Sequence, residues 1–480
     1  MMTLFGEQPR AFRMIFMLEI WERYGFYTMQ GILTLFFIRY LGFNDSEAYF
    51  TFGAFSALVY GLVALGGYLG DKVLGTKRTI VLGLITLALG YLSLALANKQ
   101  NVFFALGLIC VGNGLFKANP SSLLAKCYDP NDPRLDSAFT LYYMAINLGS
   151  TVALFVGPAL SSRFGYSYAY FSSFVGLLLG LANYFFQRQH VAPINTPADS
   201  KVVPLWKWIL IIGGVVIVSL VASYLLQHVI LAKDLVWAIT IVVVGIYFFL
   251  MHKEQKHSKR RMLVAFILML EAVVFFTLYQ QMPTSLNLFA VNNIKPVLLG
   301  IVLDPQSFQA LNPIWIILMS PVLAAFYNAL NRHGYSFSIP YKFASGMLCC
   351  GLSFSLLYFA RYMHDGHGIV SSWWLVASYF FQSTGELLVS ALGVAMVAQL
   401  VPNQMTGFVM GMWFLTSSVA GFIGAYVAAL TALPTHVKPG IESLTIYTQV
   451  FAYIGLSTLA IGVFMWLSAA KLNRYMNPSD

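Results

Sequence analysis

Three ionisable residues lie within an apolar stretch near the beginning of the chain. Glu19, Glu22 and Arg23 interrupt residues 14–40, which are otherwise suited to span a bilayer. Each such charge costs roughly 2.5–3.5 kcal/mol at the centre of a membrane helix, so its presence indicates a function. Because Glu19, Arg23 and Tyr27 are spaced four residues apart, they share one helix face. We predict that this face lines a water-filled cavity.

The ratio of charges in this cluster points to proton chemistry. Two carboxylates share one guanidinium, and the surplus negative charge can take up a proton. The alternative is an inert internal ion pair that locks helix packing. All eight histidines fall in predicted loops or at the ends of apolar runs, so carboxylates are expected to carry protons within the membrane.

The elements that must position these residues are membrane helices. The 480 residues are 59% hydrophobic and 10% charged, with a mean hydropathy of +0.73, which excludes a soluble globular protein. Apolar runs long enough to cross ~30 Å of hydrocarbon predict an all-α polytopic membrane protein with 14 transmembrane helices. The predicted spans are 12–40, 48–70, 79–98, 102–124, 137–160, 168–187, 205–226, 230–251, 262–291, 309–331, 340–361, 370–400, 405–432 and 445–470.

The net charge of +10 reports membrane topology rather than a nucleic-acid partner. If the amino terminus is cytoplasmic, most of the 28 Lys and Arg residues lie in inner segments, as the positive-inside rule requires. Both termini are therefore predicted to be cytoplasmic. No basic domain is visible, and no obligate protein partner is indicated; the expected surroundings are membrane lipid.

Other classes of chemistry lack their residues. The four cysteines show no metal-ligand spacing, so neither a metal site nor a disulfide is predicted. The connections between spans are too short for a soluble catalytic domain, and no catalytic residue or cofactor is expected. A membrane-embedded enzyme would need paired aspartates, a buried Ser/Lys pair or His-rich helices, and a channel would need repeated rings of charge. The sequence favours a carrier.

Polar connections divide the chain. The longest of them, residues 187–201, separates six spans from the next pair. Six plus six spans with an inserted hairpin fit the pattern better than fourteen equal helices. We predict a six-helix bundle at 1–190, a linker with a two-helix hairpin at 191–255, and a second six-helix bundle at 256–480.

A lysine lies deep in the fourth span, within GNGLFKANPSS. Lys117 has Asn113 and Asn119 nearby, and a buried ammonium of this kind needs an anion. The carboxylate would come from Glu22 or from a substrate. Together with Arg23 it makes a two-cation site suited to a carboxylate-bearing solute; the alternative is a static structural partner for a glutamate.

The second half of the chain has two isolated carboxylates within spans. Glu386 lies in QSTGELLVSALG, and if it faces the cavity it supplies a negative pole opposite the two cations. That arrangement selects a zwitterion with separated ends, such as a peptide. Glu271, within the ninth span, is either a second proton site or a buried glutamate bonded to a neighbouring helix.

The loop after the second span reads GGYLGDKVLGTKR. It resembles the cytoplasmic loop signature of the major facilitator superfamily, which implies two six-helix bundles that rock about a central site. In that interpretation Asp71 helps to latch the inner side. Without the resemblance, the run is an ordinary positively charged inner turn.

A more specific resemblance covers nearly the whole chain. EIWERYGFY at 19–27 and YYMAINLGS at 142–150 are similar to signatures of the proton-dependent oligopeptide transporters, and QMPTSLN, FQALNP, GELLVSALG and MGMWFLT continue the match. Within that family the similarity is greatest to the di- and tripeptide permeases of enteric bacteria. It implies fourteen helices and a symporter of the bacterial inner membrane that imports di- and tripeptides with protons as the coupling ion.

The resemblance also implies roles for single residues. Arg23 and Lys117 would hold the peptide carboxylate, and its α-amino group would bind to Asn147, Asn312 and Glu386. Tyr27 and Tyr60 would bond peptide backbone groups, and Phe276 and Trp413 would wall side-chain pockets. The implied peptide-binding residues are Arg23, Tyr27, Tyr60, Lys117, Asn147, Phe276, Asn312, Glu386 and Trp413.

Proton coupling would follow from competition. Glu19 and Glu22 would be the proton-handling pair, because a peptide carboxylate that takes the cations deprives a glutamate of its partner.

Many family members have an arginine at the position of Gln30 and a glutamate at that of Gln280, an outer gate pair that is neutral here. The remaining alternative is a proton-coupled carrier of another zwitterionic or carboxylate-bearing solute.

Overall fold

The computed structural model describes residues 6–129, 132–334 and 337–476, and almost all of them are helical. The two chain ends, predicted to be cytoplasmic, lie outside the described residues. In the first half of the chain the α-helices are Arg10–Phe36, Asp45–Gly61, Val63–Tyr68, Thr76–Ala95, Val102–Lys117, Asn119–Ala125, Arg134–Phe164, Tyr166–Gln187 and Leu205–Gln227.

The second half continues in the same way. Its α-helices are Val229–Lys253, Lys256–Tyr279, Ser285–Asn293, Leu311–Arg332, Ile339–Ala360, Trp373–Val389, Gly393–Leu400, Thr406–Ala429 and Ile441–Met476. Two short antiparallel strands, Val297–Leu298 and Ile301–Val302, form the hairpin of one connection. Short π and 3-10 turns extend or join helices at Phe37–Leu41, Leu69–Val73, Arg188–His190, Pro305–Ala310, Ser390–Leu392 and Asn403–Met405.

The structure forms helix at every one of the predicted spans. Within the described residues, twelve helices are long and apolar enough to cross a membrane. The other two predicted spans correspond to Arg10–Phe36, which carries the buried charges, and to Trp373–Val389, which is 17 residues long. The helical membrane architecture is therefore confirmed, whereas the count of fourteen crossings is supported for twelve.

Two predicted spans have the wrong bounds. The run 262–291 is not one helix, because the helix from Lys256 ends at Tyr279 and a second begins at Ser285. Pro283 lies in the intervening turn, where its missing N–H interrupts a helix. The run 370–400 is likewise interrupted after Val389 by a 3-10 turn.

The chain forms two compact units, each with its own interior. One unit comprises Met1–Gly42 and Ala54–Ala232, and the other comprises Phe43–Gly53 and Lys233–Asp480. In the first, Leu205–Gln227 packs on Val102–Lys117. The proposed division into 1–190, 191–255 and 256–480 remains a prediction.

In the first unit, the loop that carries the superfamily signature clasps the polar connection after the sixth span. Lys77 Nζ donates to the carbonyls of Val191 and Ala192, each at 3.3 Å, and to Asn195 Oδ1 at 2.8 Å. Arg78 Nη1 donates to the carbonyl of Lys201 at 3.0 Å. These bonds fix the segment that leads into the helix beginning at Leu205 beside the end of the second span.

Candidate functional site

The charged cluster of the first helix is buried and compact. Arg23 Nε lies 3.0 Å from Glu19 Oε1 and 2.5 Å from Glu22 Oε2. Glu22 is 0% exposed and Arg23 only 5%. The predicted i,i+4 pair between Glu19 and Arg23 is therefore present, and both carboxylates converge on the same nitrogen. One guanidinium charge is shared by two acids in an environment of low dielectric.

A tyrosine from a neighbouring helix completes the coordination of Glu19. The hydroxyl of Tyr142 donates to Glu19 Oε2 at 2.7 Å. Gly149, two helical turns further along Arg134–Phe164, allows the close approach: a Cβ there would lie 2.6 Å from the carbonyl oxygen of Ile20 and 3.0 Å from Arg23 Cβ. Sequence reasoning missed Tyr142 as a site residue, although its motif YYMAINLGS was recognised.

Glu22 has a weaker contact with the helix Val102–Lys117. Asn113 Nδ2 donates to Glu22 Oε1 at 3.5 Å, and Asn113 is fully buried. The hydroxyl of Tyr91 is also buried and has no hydrogen-bond partner among the described residues. Glu22 thus sits among polar groups that do not saturate it, and its closest charged contact is Arg23.

Lys117 does not pair with Glu22 in this structure. Its Nζ lies 3.7 Å from the centre of the Tyr60 ring, in a cation–π contact. Across the described part of the chain, no carboxylate oxygen lies within 4.0 Å of Lys117 Nζ. The sequence predicted either Glu22 or a substrate carboxylate as the anion for Lys117. The structure does not show the pair with Glu22, and the substrate carboxylate remains a prediction.

Helix breaks bring Lys117 and Tyr60 together. The second span is interrupted between Gly61 and Val63, and the fourth between Lys117 and Asn119. The second interruption precedes Pro120, which disfavours helical geometry in the residue before it. Asn119 Nδ2 donates to the carbonyl of Leu115 at 2.7 Å, so its side chain replaces a backbone donor at the break.

A glycine pair sets the distance between these two broken spans. A Cβ at Gly66 would lie 1.9 Å from the carbonyl oxygen of Gly114, which only glycine avoids. Asn119 Nδ2 also donates to the carbonyl of Gly66 at 3.1 Å. The backbones are therefore in contact, and the residues beside each break meet.

In the second unit, two predicted site residues are bonded to each other. Asn312 Nδ2 donates to Glu386 Oε2 at 2.8 Å and to Ser383 Oγ at 3.1 Å. Glu386 is 8% exposed and Asn312 is 7% exposed. Within the described residues Glu386 has no cationic partner. A buried carboxylate held by one amide is suited to receive a cationic group.

The two predicted aromatic pocket residues are also in contact. The rings of Phe276 and Trp413 are 5.8 Å apart and pack edge to face at 71°. A Cβ at Gly393 would lie 2.0 Å from Trp413 Cζ2, so this glycine leaves room for the indole at the start of the helix Gly393–Leu400. Phe276 and Trp413 form one aromatic surface.

The remaining candidates of the first unit have local contacts. Asn147 is buried and its Nδ2 donates to the carbonyl of Tyr143 at 2.8 Å, which leaves Oδ1 as its acceptor. Tyr27 packs edge to face on Phe26, with ring centres 5.6 Å apart. Arg23 lies over the same Phe26 ring at 5.7 Å.

The predicted gate residues are described separately in each unit. Gln30 is half-buried, and its Oε1 has no hydrogen-bond partner among the described residues. Gln280 is 6% exposed. Asp71 lies 3.9 Å from Lys126 Nζ through Oδ1, in a surface pair. The latch role of Asp71 and the pairing of the two glutamines remain predictions.

Glu271 is set apart from these clusters. Its Oε2 is buried and has no hydrogen-bond partner within the described residues. The expected bond to a neighbouring helix is therefore not formed through Oε2. It remains a carboxylate without an assigned role.

Comparison with known proteins gives consistent matches. A family model described as the POT family matches residues 77–448. Dipeptide and tripeptide permease B of Edwardsiella piscicida is 48% identical over 477 residues, which are 98% of this chain and 97% of the relative. The permease of the same name from Salmonella typhimurium is 48% identical over 473 residues, with the same coverage of 98% and 97%.

The fold has solved counterparts as well. A bacterial homologue of the human drug peptide transporters superposes with a TM-score of 0.86 at 34% identity, covering 98% of this chain and 99% of its own. A structure concerned with substrate recognition in proton dependent oligopeptide transporters superposes with a TM-score of 0.84 at 35% identity, covering 97% and 99%. The sequence and the fold therefore match the same group of proteins over almost their full length.

Proposed function

This chain belongs to the POT family, and from that premise we propose that it is a proton-coupled symporter that imports dipeptides and tripeptides by alternating access. It is an all-α polytopic membrane protein with the major facilitator fold, and it is a transporter rather than an enzyme. It is a multi-pass protein of the inner membrane; cytoplasmic placement of both termini is part of the proposal.

One observation carries the proton-coupled mechanism: Glu19 and Glu22 share Arg23 Nε. Two acids with one buried base cannot both be satisfied as carboxylates, so the cluster is poised between ionised and protonated forms. Any anion that competes for the guanidinium changes that balance. A substrate carboxylate is such an anion.

We propose that the peptide carboxylate binds the cations of the first unit. Both closest acid contacts of Arg23 are to Nε, so the terminal guanidinium nitrogens are the part offered to substrate. Lys117 lies on the face of Tyr60 instead of against an acid, which keeps an ammonium available at modest desolvation cost. When substrate takes these cations, Glu22 gains a proton and the cluster loses its net charge.

We propose that the α-amino group of the peptide binds in the second unit. Glu386 is buried and its only bonded side-chain partner among the described residues is the neutral amide of Asn312. An ammonium would satisfy this carboxylate. Phe276 and Trp413 would wall a side-chain pocket, because their joint surface is aromatic and sequence-tolerant.

The remaining residues have supporting roles in the proposal. Tyr27 and Tyr60 would bond peptide backbone groups, while Gln30, Gln280 and Asp71 would belong to the gates. Protons are the coupling ion, and no other cofactor is required. The available drive is about 1.4 kcal/mol per pH unit of gradient and roughly 2.3 kcal/mol per 100 mV for each charge moved.

Competition in reconstituted vesicles tests the proposed substrate class. Proteoliposomes with an inward proton gradient are given labelled dialanine, with unlabelled dialanine, trialanine or free alanine as competitor. The proposal predicts that both peptides compete and that alanine at the same concentration does not. Equal competition by alanine would assign the protein to carriers of other zwitterionic solutes.

A further inference from the structure

An apolar groove of about 310 Å³, with no charged residue in its lining, opens on the first unit. It lies between the broken second span, the fourth span and the helix Leu205–Gln227. Its lining includes Leu62, Tyr68, Leu115, Leu210, Gly214 and Val218. All of these helices are of membrane-spanning length and hydropathy, so the groove faces hydrocarbon rather than water.

Packing explains why the groove stays open. The helix Leu205–Gln227 approaches the fourth span at Gly107, where a Cβ would lie 2.4 Å from the carbonyl oxygen of Ser219. The contact is therefore tight near one end of that helix. Towards its beginning, a Cβ added at Gly214 would have no heavy atom within 4 Å, which shows that the two helices have separated there.

The groove has the length of a lipid tail in one leaflet. From Leu210 to Val218 the helix rises about 12 Å, against about 15 Å for half of a ~30 Å hydrocarbon core. Tyr68 lines the groove and is 63% exposed, and Trp206, 58% exposed, precedes the lining residue Leu210 by about one helical turn. Aromatic residues of this kind prefer the headgroup level of a bilayer, so they mark the end at which a headgroup would sit.

Two exposed lysines occupy that same end. Lys72 follows the groove residues Tyr68 and Leu69 by one turn, and Lys207 precedes Leu210 by one turn. Arg78 Nη1 donates to the carbonyls of Leu74 and Lys201, at 3.1 and 3.0 Å, and so links the end of the second span to the segment that precedes Leu205. The nearest acid in sequence, Asp71, lies 3.9 Å from Lys126 Nζ. The aperture of the groove is therefore cationic.

We propose that this groove is a binding site for an anionic phospholipid, with an acyl chain along Leu210, Gly214 and Val218 and the phosphate between Lys72 and Lys207. An apolar slot of leaflet depth with two ammonium groups at the headgroup level is complementary to such a lipid. The site adjoins the helix breaks, since Leu62 and Leu115 each lie two residues from Tyr60 and Lys117.

Native mass spectrometry of the delipidated full-length protein tests the proposal. The protein is titrated with phosphatidylglycerol or phosphatidylcholine of identical acyl chains. We expect wild type to retain one phosphatidylglycerol more tightly than phosphatidylcholine, by about fivefold for each lysine involved. Gly214→Leu places a side chain in the groove, at a position where a Cβ meets no heavy atom within 4 Å, and should lose that lipid. Gly213→Leu, where a Cβ is equally free but which is outside the groove lining, should retain it.

The charge of the site is tested separately, so that a misfolded groove variant does not decide the result. Lys72→Gln combined with Lys207→Gln should make the two lipids bind equally. Lys99→Gln should change nothing, because Lys99 lies in the turn after Ala95, at the other end of the helix Thr76–Ala95 from Lys72. Equal binding of both lipids to wild type, or full retention by Gly214→Leu, would overturn the proposal. Retention of a co-purified polypeptide in place of lipid would do the same.

Discussion

The ammonium of Lys117 rests on the ring of Tyr60, 3.7 Å from its centre. The position within the fourth span suggested an acid partner, because an isolated ammonium in the membrane is costly. An aromatic face meets part of that cost without neutralising the charge. The pair therefore holds a cation ready for an incoming anion, and its ring can be changed without touching the cation.

Tyr60 provides the first prediction. Tyr60→Phe keeps the ring and removes only the hydroxyl group. It should change the KM for dialanine by less than about threefold relative to wild type. Tyr60→Leu removes the cation–π contact, worth about 0.5–2 kcal/mol, and should raise KM by about 2- to 30-fold. Uptake kinetics in proteoliposomes measure both values. Equal effects of the two substitutions would show that the ring does not hold Lys117 in place.

Tyr142 provides the second. Tyr142→Phe leaves Glu19 Oε2 without its 2.7 Å donor, and a hydrogen bond to a charged group is worth about 1.5–3 kcal/mol. We expect a lower melting temperature and a loss of proton-driven uptake of about tenfold or more. Tyr168→Phe, at a site that is 62% exposed on the surface, is the matched control and should resemble wild type. A fully active Tyr142→Phe would remove Tyr142 from the site.

Gly149 tests how the cluster is positioned. Gly149→Ala places a methyl group 2.6 Å from the carbonyl oxygen of Ile20, so the helix bearing Tyr142 must move away. We expect the free energy of unfolding to fall by about 0.5–3 kcal/mol, the usual range for a single destabilising substitution, and we expect uptake to be reduced. Gly213→Ala, where a Cβ meets no atom within 4 Å, should have neither effect. Unchanged stability in Gly149→Ala would contradict the close packing of these helices.

Glu386 tests recognition of the amino terminus. Glu386→Gln preserves an acceptor for Asn312 but removes the charge, so affinity for dialanine should fall by about 10- to 100-fold, as for a charge-assisted hydrogen bond. N-acetyl-dialanine, which lacks the ammonium, should bind wild type and variant equally weakly. Ser383→Ala removes only the second Asn312 contact and should be mild. A similar loss for both peptides would show that Glu386 does not contact the amine.

Local spacing and long-range packing differed in how well the sequence predicted them. The pairing of Glu19 with Arg23 follows from helical spacing alone, and it is confirmed. The partner of Lys117 depends on the break before Asn119 and on the contact between Gly66 and Gly114. A hydropathy window averages over such breaks, so the position of Lys117 relative to its neighbours could not be derived from it.

The predicted bounds of the span 262–291 were wrong for the same reason. Residues 262–291 are apolar throughout most of their length, yet Pro283 ends the first helix after Tyr279. There, Gln281 Nε2 bonds the carbonyls of Thr277 and Gly424, and Ser285 donates to its Oε1. These side-chain bonds compensate the interrupted backbone, and only the folded structure reveals them.

Glu22 gives the most direct test of the central claim, that a substrate carboxylate competes with Glu22 for Arg23 and so promotes protonation of Glu22. Gradient-driven accumulation and counterflow of labelled dialanine are measured in the same proteoliposomes for wild type, Glu22→Gln and the surface control Glu442→Gln. We predict that Glu22→Gln abolishes accumulation against a concentration gradient but retains some counterflow. Glu442→Gln, at an exposed position, should accumulate dialanine and catalyse counterflow as wild type does. Accumulation by Glu22→Gln at the level of wild type would contradict the account.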